Sequence, residues 1–318
     1  MASLFSRLSA MSLLLGLMAC GAPGANNTDA SQSKGVKVVT TFLPITLFTE
    51  AVAGDCADVT ALIPANLGPH DFQATPSDLT DLSGANVLVK NGLGMEEFLD
   101  DLISSADNKD LMVIDSSSGV ATIESAEDDH HGHDHHGHDH GHSHGEVNPH
   151  IWLDPILAVQ QVENIRDGLV KADPSCADGY KKNAELYTAK LKKLNTEFTA
   201  KLEPYKGKTF VAFHDFAPYF ASRYSLKAEY LVDLPEMNPS PADLQRVAAQ
   251  VKASGLKALL SEPQEGKRSF NALAKDLGVN IVEFNPLETG SVESAKVPGT
   301  YFEVMSSNVN NLVKAIGD

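Results

Sequence analysis

Long hydrophobic runs are missing from this chain. A membrane-spanning helix needs roughly 20 consecutive apolar residues, and the one apolar run near the amino terminus, LSAMSLLLGLMA, is too short. Positive charge is scarce as well: 25 Lys and Arg face 42 Asp and Glu, a net charge of −17. Such an acidic surface argues against a nucleic-acid ligand and suits cations, although simple solubility would account for it equally. Cysteine is nearly absent, with three in 318 residues. Cys20 stands at the end of the apolar run, so the body of the protein holds only Cys56 and Cys176. An exported chain permits them one disulfide, but spacing alone does not say whether they meet.

What is present begins with a targeting segment. Residues 1–19 read as a signal peptide, with Arg7 as their only charge ahead of the apolar run. The end of that run, Leu17-Met18-Ala19-Cys20, resembles a bacterial lipobox, and Cys20 would then become the lipidated first residue of the mature chain. Residues 20–35, small and polar without periodicity, read as a flexible tether. The expected location is periplasmic, held to the membrane by lipid.

From residue 36 onward, strand and helix patterns alternate. The β-branched run 37–41 is followed by helical spacing over 45–52, a strand over 59–63, a helix opened by Thr75-Pro76-Ser77-Asp78, a strand over 87–90, a helix over 95–106 and a strand over 111–115. After an interruption the alternation resumes at 209–213 and closes with a helix over 302–316. This order predicts an α/β protein whose parallel sheets carry helices on both faces. Thr75-Pro76-Ser77-Asp78-Leu79 and Ser240-Pro241-Ala242-Asp243-Leu244 echo one another, which suggests two similar Rossmann-like lobes, residues 36–153 and 205–318. Residues 154–204 are helical, broken at Asp173-Pro174. The second piece places Tyr180, Ala184, Tyr187, Leu191, Leu194, Phe198 and Leu202 on one face, a long strut joining the lobes.

Twelve histidines stand out against this background, and nine crowd into one tract: His130, His131, His133, His135, His136, His138, His140, His142 and His144. The segment around them, about 124–147, is too poor in apolar residues to offset its ordering entropy and reads as a disordered surface loop. At that density the tract is expected to gather metal loosely. The other three, His70, His150 and His214, occur singly, at positions compatible with the carboxyl ends of strands, where open α/β sheets bind ligands. A lone histidine is more often a core or surface residue than a ligand. Three of them converging in a cleft between lobes would suit zinc, with Zn–N distances near about 2.0–2.1 Å.

The local sequences around these three are more specific. Gly68-Pro69-His70-Asp71-Phe72 with Pro76-Ser77-Asp78-Leu79, then Asn148-Pro149-His150-Ile151-Trp152-Leu153-Asp154-Pro155, and Ala212-Phe213-His214-Asp215-Phe216 resemble the three metal motifs of the metal-binding lipoproteins of bacterial ABC transporters. Within that family the chain is similar to the zinc-specific, ZnuA-like branch over nearly all of residues 36–317. The resemblance implies two lobes bridged by a long rigid helix, Zn2+ held in the cleft by His70, His150 and His214, and a histidine at the third position where manganese-binding relatives carry Glu. An acidic, histidine-rich loop before Asn-Pro-His is also common in that branch.

Two positions depart from the family pattern. Pro69 stands where some relatives place Glu, and Asn285-Pro286-Leu287 stands where relatives often offer Asp-Pro-Leu. A neutral Asn is a weak ligand, so water or an open position is expected in fourth place, with nearby Glu288 unassigned. The function implied is capture of Zn2+ outside the cytoplasm and delivery to the membrane permease of an ABC transporter, by a monomer without enzymatic activity. A manganese or iron carrier of the same family is the nearest rival. A sequestering or adhesive lipoprotein without a permease would carry the same capture module. A zinc hydrolase would also use three histidines, but the chain has no His-Glu-x-x-His helix.

Overall fold

The computed structural model of the protein describes residues 35–124, 147–235, 237–263 and 267–317. The signal segment, Cys20, the tether as far as residue 34 and the nine tract histidines lie outside them. In the first lobe β1 (Val36–Thr40), β2 (Ala57–Ala61), β3 (Val87–Lys90) and β4 (Met112–Asp115) form a parallel sheet in the order β2-β1-β3-β4. Helices α1 (Leu43–Ala53), α2 (Pro76–Ser83) and α3 (Leu99–Ala106) connect them. The second lobe repeats the plan. Its strands β5 (Thr209–His214), β6 (Lys227–Val232), β7 (Ala258–Ser261) and β8 (Asn280–Glu283) lie in the order β6-β5-β7-β8, all parallel. Between and after these strands come α6 (Pro218–Arg223), α7 (Pro241–Ser254), α8 (Lys267–Leu277) and α9 (Thr300–Ile316).

The inner strands β3 and β5 are buried on both faces, which explains their near-continuous apolar sequences. On one face of the first sheet, Val39 and Leu88 pack with Leu82, Leu99 and Leu102 of α2 and α3. Val38, Val87 and Val89 belong to the main core, together with Phe48 and Val52 of α1. All six residues of central strand β5 are buried.

The echoed motifs mark equivalent points in the two lobes, each following the lobe's second strand. Thr75 and Ser240 are the N-caps of α2 and α7, and both helices open with a capping box. The main-chain N–H of Thr75 donates to Asp78 at 2.6 Å, and that of Ser240 donates to Asp243 at 2.9 Å.

Between the lobes run α4 (Pro155–Ala172) and α5 (Ala177–Leu202), the latter of 26 residues. At 1.5 Å per residue α5 is about 39 Å long, enough to lie along both lobes. It buries the same seven residues that the sequence spacing aligns, from Tyr180 to Leu202. Cys56, just before β2, is joined by a disulfide to Cys176, just before α5, with Cα atoms 6.1 Å apart. The bridge ties the strut to the first lobe.

Of the boundaries that differ from the sequence reading, two have a clear local reason. β2 lies two residues earlier than the 59–63 expected, its ladder to β1 running from Val36↔Ala57 to Thr40↔Ala61. Leu62 and Ile63 read as strand because they are apolar, and they are indeed buried, yet the chain bends there after the ladder ends. The helix expected over 95–106 begins only at Leu99. Ahead of it, the buried Glu96 carboxylate accepts N–H groups from Asn91 at 2.7 Å and Gly92 at 3.1 Å, and the Thr41 hydroxyl at 2.7 Å, which holds 91–96 as a tight turn.

Candidate metal centre

The metal candidates converge where the strand order reverses. In the second lobe the chain passes from central β5 to β6 on one side and then to β7 on the other, so the ends of β5 and β7 open a crevice. His214 is the last residue of β5, and Glu262 directly follows β7. His70 comes from the first lobe, in the loop between β2 and α2. His150 precedes a single 3-10 turn (Ile151–Leu153) that leads into α4.

The structure brings His70, His150 and His214 together and adds Glu288, each offering one ligand atom, with these atoms all within 4.8 Å of one another. His214 Nε2 is 3.3 Å from His150 Nε2 and 3.2 Å from Glu288 Oε1. The same Glu288 oxygen is 2.9 Å from His150 Nε2 and 3.8 Å from His70 Nε2. Four donors at about 2.0–2.1 Å from a tetrahedral zinc would lie about 3.3–3.4 Å from one another, so these contacts are close to the edges of such a tetrahedron. His150 and His214 are fully buried and Glu288 nearly so, with His70 at the more open side.

A carboxylate, Glu288, stands beside the three imidazoles where water or an open position was expected, and Asn285 explains how it comes there. Rather than facing the metal donors, the Asn285 side-chain oxygen accepts the Leu287 N–H at 2.7 Å, while Asn285 exchanges hydrogen bonds with Asn308 of α9 at 2.8 and 2.7 Å. That turn is completed by Leu287 in the left-handed region, φ 65°, and delivers the following residue, Glu288, into the crevice. The neutral Asn is a turn former here, and the carboxylate comes three residues later. The signal was present in Asn285-Pro286-Leu287-Glu288, but only the turn geometry says which side chain faces inward.

Each buried imidazole is oriented from behind. Asn148 Oδ1 accepts both the His150 main-chain N–H, at 3.1 Å, and its ring Nδ1–H, at 2.9 Å. The amide is not free to flip, because its Nδ2 donates to the Asp215 main-chain oxygen at 2.8 Å and carboxylate at 3.1 Å. His214 receives the same treatment from Glu262, whose two oxygens accept the main-chain N–H at 3.0 Å and Nδ1–H at 2.7 Å. Nδ1 therefore carries a proton in both rings, and Nε2 faces the cluster.

Charge divides unevenly over the set. Burial drives the His150 pKa down to about 4, against the pull of Glu288. Burial acts the same way on His214, but Glu262 and Glu288 together outweigh it and hold this ring protonated well above the ordinary histidine range. Burial opposes ionisation of Glu288, yet the charge of His214 beside it outweighs that and keeps the carboxyl well below the usual carboxylate range. The metal-free cluster is thus an ionised carboxylate beside one imidazolium, and a dication would displace the proton.

The residues around His150 belong mechanically to the second lobe. Trp152 Nε1 donates to the Pro286 carbonyl at 2.7 Å, and the Tyr301 hydroxyl donates to the Trp152 carbonyl at 2.7 Å. Arg223 of α6 forms a bidentate pair with Asp154, its Nε 2.9 Å from Oδ1 and its Nη2 2.7 Å from Oδ2. In return, Gly290 N–H of the second lobe donates to the Ala65 carbonyl of the first at 2.6 Å.

Comparison with known proteins agrees with this geometry. Residues 38–315 match the family model described as zinc-uptake complex component A, periplasmic. The high-affinity zinc uptake system protein ZnuA of Bacillus subtilis is 32% identical over 295 residues, covering 92% of each chain. The zinc-binding protein AdcA of Streptococcus pyogenes is 33% identical over 284 residues; these are 87% of this chain but only 55% of AdcA, so the chain spans about half the length of that relative. The structure of Zn(II)-bound AdcA from Streptococcus pneumoniae aligns over 89% of this chain and 58% of its own, with TM-score 0.74 and 30% identity. With two lobes of the same topology, a long joining helix and a match along nearly the whole described chain, the protein belongs to the ZnuA family of periplasmic zinc-uptake components.

Proposed function

We propose that this protein binds Zn2+ outside the cytoplasm through His70, His150, His214 and Glu288 and delivers it to the membrane permease of an ABC transporter. The observation that supports this reading best is the cluster of three imidazoles and one carboxylate whose ligand atoms all lie within 4.8 Å of one another. Three nitrogen donors favour zinc over manganese, which prefers more oxygen. Four convergent protein donors also weigh against a hydrolase, because a catalytic zinc keeps a position for water. The family's role in uptake, and the zinc bound by its relatives, support transport as the purpose.

The anchor at Cys20, the monomeric state and the loose gathering of zinc by the nine histidines from His130 to His144 belong to the same proposal. Zinc in the cleft is cargo, so binding has to be tight and reversible. The test is competition of the full chain against a chromophoric zinc chelator of nanomolar affinity. The intact protein is expected to withdraw one equivalent of zinc, and His150→Ala or His214→Ala to lose that equivalent. Retention of the tight equivalent by both variants would refute the site. Zinc-dependent growth of a deletion strain separates uptake from sequestration: growth independent of zinc supply would refute delivery to a permease.

A further inference from the structure

The two buried histidines are held in the same way by residues of different charge. Behind His150 the accepting oxygen belongs to the neutral amide of Asn148, and behind His214 to the carboxylate of Glu262, which is 0% exposed. We propose that Glu262 is a positioning and specificity-determining residue: it fixes the His214 tautomer and supplies the second of two buried negative charges that match a divalent cation. The inference rests on the zinc-binding reading of the cleft.

The geometry carries the first half. A carboxylate only accepts hydrogen bonds, and Glu262 takes one from the His214 main chain at 3.0 Å and one from Nδ1 at 2.7 Å. Two bonds to one residue fix the ring plane as well as the tautomer, leaving Nε2 within 3.2–3.3 Å of the Glu288 and His150 ligand atoms.

Charge carries the second half. Three neutral imidazoles contribute none and Glu288 contributes −1, so a dication among these residues would leave one uncompensated positive charge. Burying a net charge is costly unless a partner lies close. Glu262 is that partner, one imidazole ring away. Asp215 stands further back, behind the Asn148 amide and 9% exposed, so water shares in screening it. A monovalent ion such as Cu+, which also accepts imidazole ligands, would be neutralised by Glu288 alone. Glu262 thereby biases the site toward charge two at equal ligand geometry.

Glu262→Gln tests this in the full chain, because a glutamine oxygen still accepts N–H groups from behind, as the Asn148 amide does for His150. Affinities for Zn2+ and, anaerobically, Cu+ are measured by chelator competition, with Trp152 emission reporting occupancy of the cleft. The expected result is a 10–100-fold loss for Zn2+, the range for a partner behind a metal ligand, with Cu+ within about threefold of the unaltered protein. Equal losses for both ions would reduce Glu262 to a structural prop and overturn the proposal, as would unchanged Zn2+ affinity. If E262Q does not fold, E262D and E262N carry the same comparison: E262N has to lose Zn2+ relative to E262D with Cu+ unchanged, and equal affinities overturn the charge argument. Failure of the unaltered chain to bind Zn2+ in the cleft would instead defeat the zinc reading itself.

Discussion

At the scale of single residues, the proposed metal site is a set of buried groups whose protonation is settled before any ion arrives. His150 is neutral at ordinary pH because burial brings its pKa to about 4, whereas His214 is held charged between Glu262 and Glu288. Zinc needs the lone pair of His214 Nε2, so binding at pH 7 expels about one proton per ion. Calorimetric titration in buffers of different ionisation enthalpy reads that number directly; a value near zero would mean His214 is already neutral. The sign for affinity follows. As pH falls, a more firmly held proton competes with the metal and zinc binding weakens; as pH rises toward the His214 pKa, it strengthens. Glu288→Gln removes the one charged ligand and is expected to weaken zinc binding by at least tenfold, while Asn285→Asp, which keeps the turn-forming oxygen, is expected to leave it within about threefold. The three histidines were legible in the sequence because each sits in a distinctive local motif. Glu288 and Glu262 were not, since each reaches the site through a turn or a strand end whose direction depends on the folded sheet.

At the scale of elements, the helices were easier to read than their ends. The seven apolar positions of α5 recur at steps of three and four, and all seven are buried. The same helix provides a test of that pattern, for Leu191 is fully buried and Leu186 is 57% exposed. Leu191→Ala is expected to cost about 2–5 kcal/mol of stability, and Leu186→Ala less than about 0.5 kcal/mol. Chemical denaturation of the two variants compares them on one scale. The start of α3 could not be read off periodicity, because Met95 and Phe98 continue the apolar spacing while Glu96 is captured by the backbone of 91–92. The Cys56–Cys176 bridge closes a loop of 120 residues in sequence. Replacing both cysteines by Ala is expected to lower stability by about 2–4 kcal/mol without changing zinc affinity, since the bridge holds the strut and touches none of the four proposed metal donors.

At the scale of the whole molecule, the two lobes exchange short segments across the cleft. The stretch 148–154 follows the first sheet in sequence yet is bonded to Asp215, Arg223 and Pro286 of the second lobe. Sequence order assigned His150 to the first lobe, and the alternation of strands and helices could say nothing of this exchange. Trp152, the only tryptophan, lies within it, its ring centroid 5.0 Å from that of His150. Its emission is expected to change with the first equivalent of zinc and to stay constant as weaker sites fill. A signal that continued to change beyond one equivalent would show that the cleft is not the tightest site.

The short bridge pairing Glu124 with Val147, reinforced by the Asn148 N–H to the Ile123 carbonyl at 3.0 Å, has a consequence for how this protein could vary. Chain leaves and rejoins the first lobe at a single knot, and Tyr219 secures both sides of it by donating its hydroxyl proton to the Asn148 carbonyl at 2.7 Å and accepting the Ile123 N–H at 3.0 Å. The tie thus fixes the chain on either side of residues 125–146. A change in the length of the segment between is expected to leave His150, two residues beyond the tie, in its place.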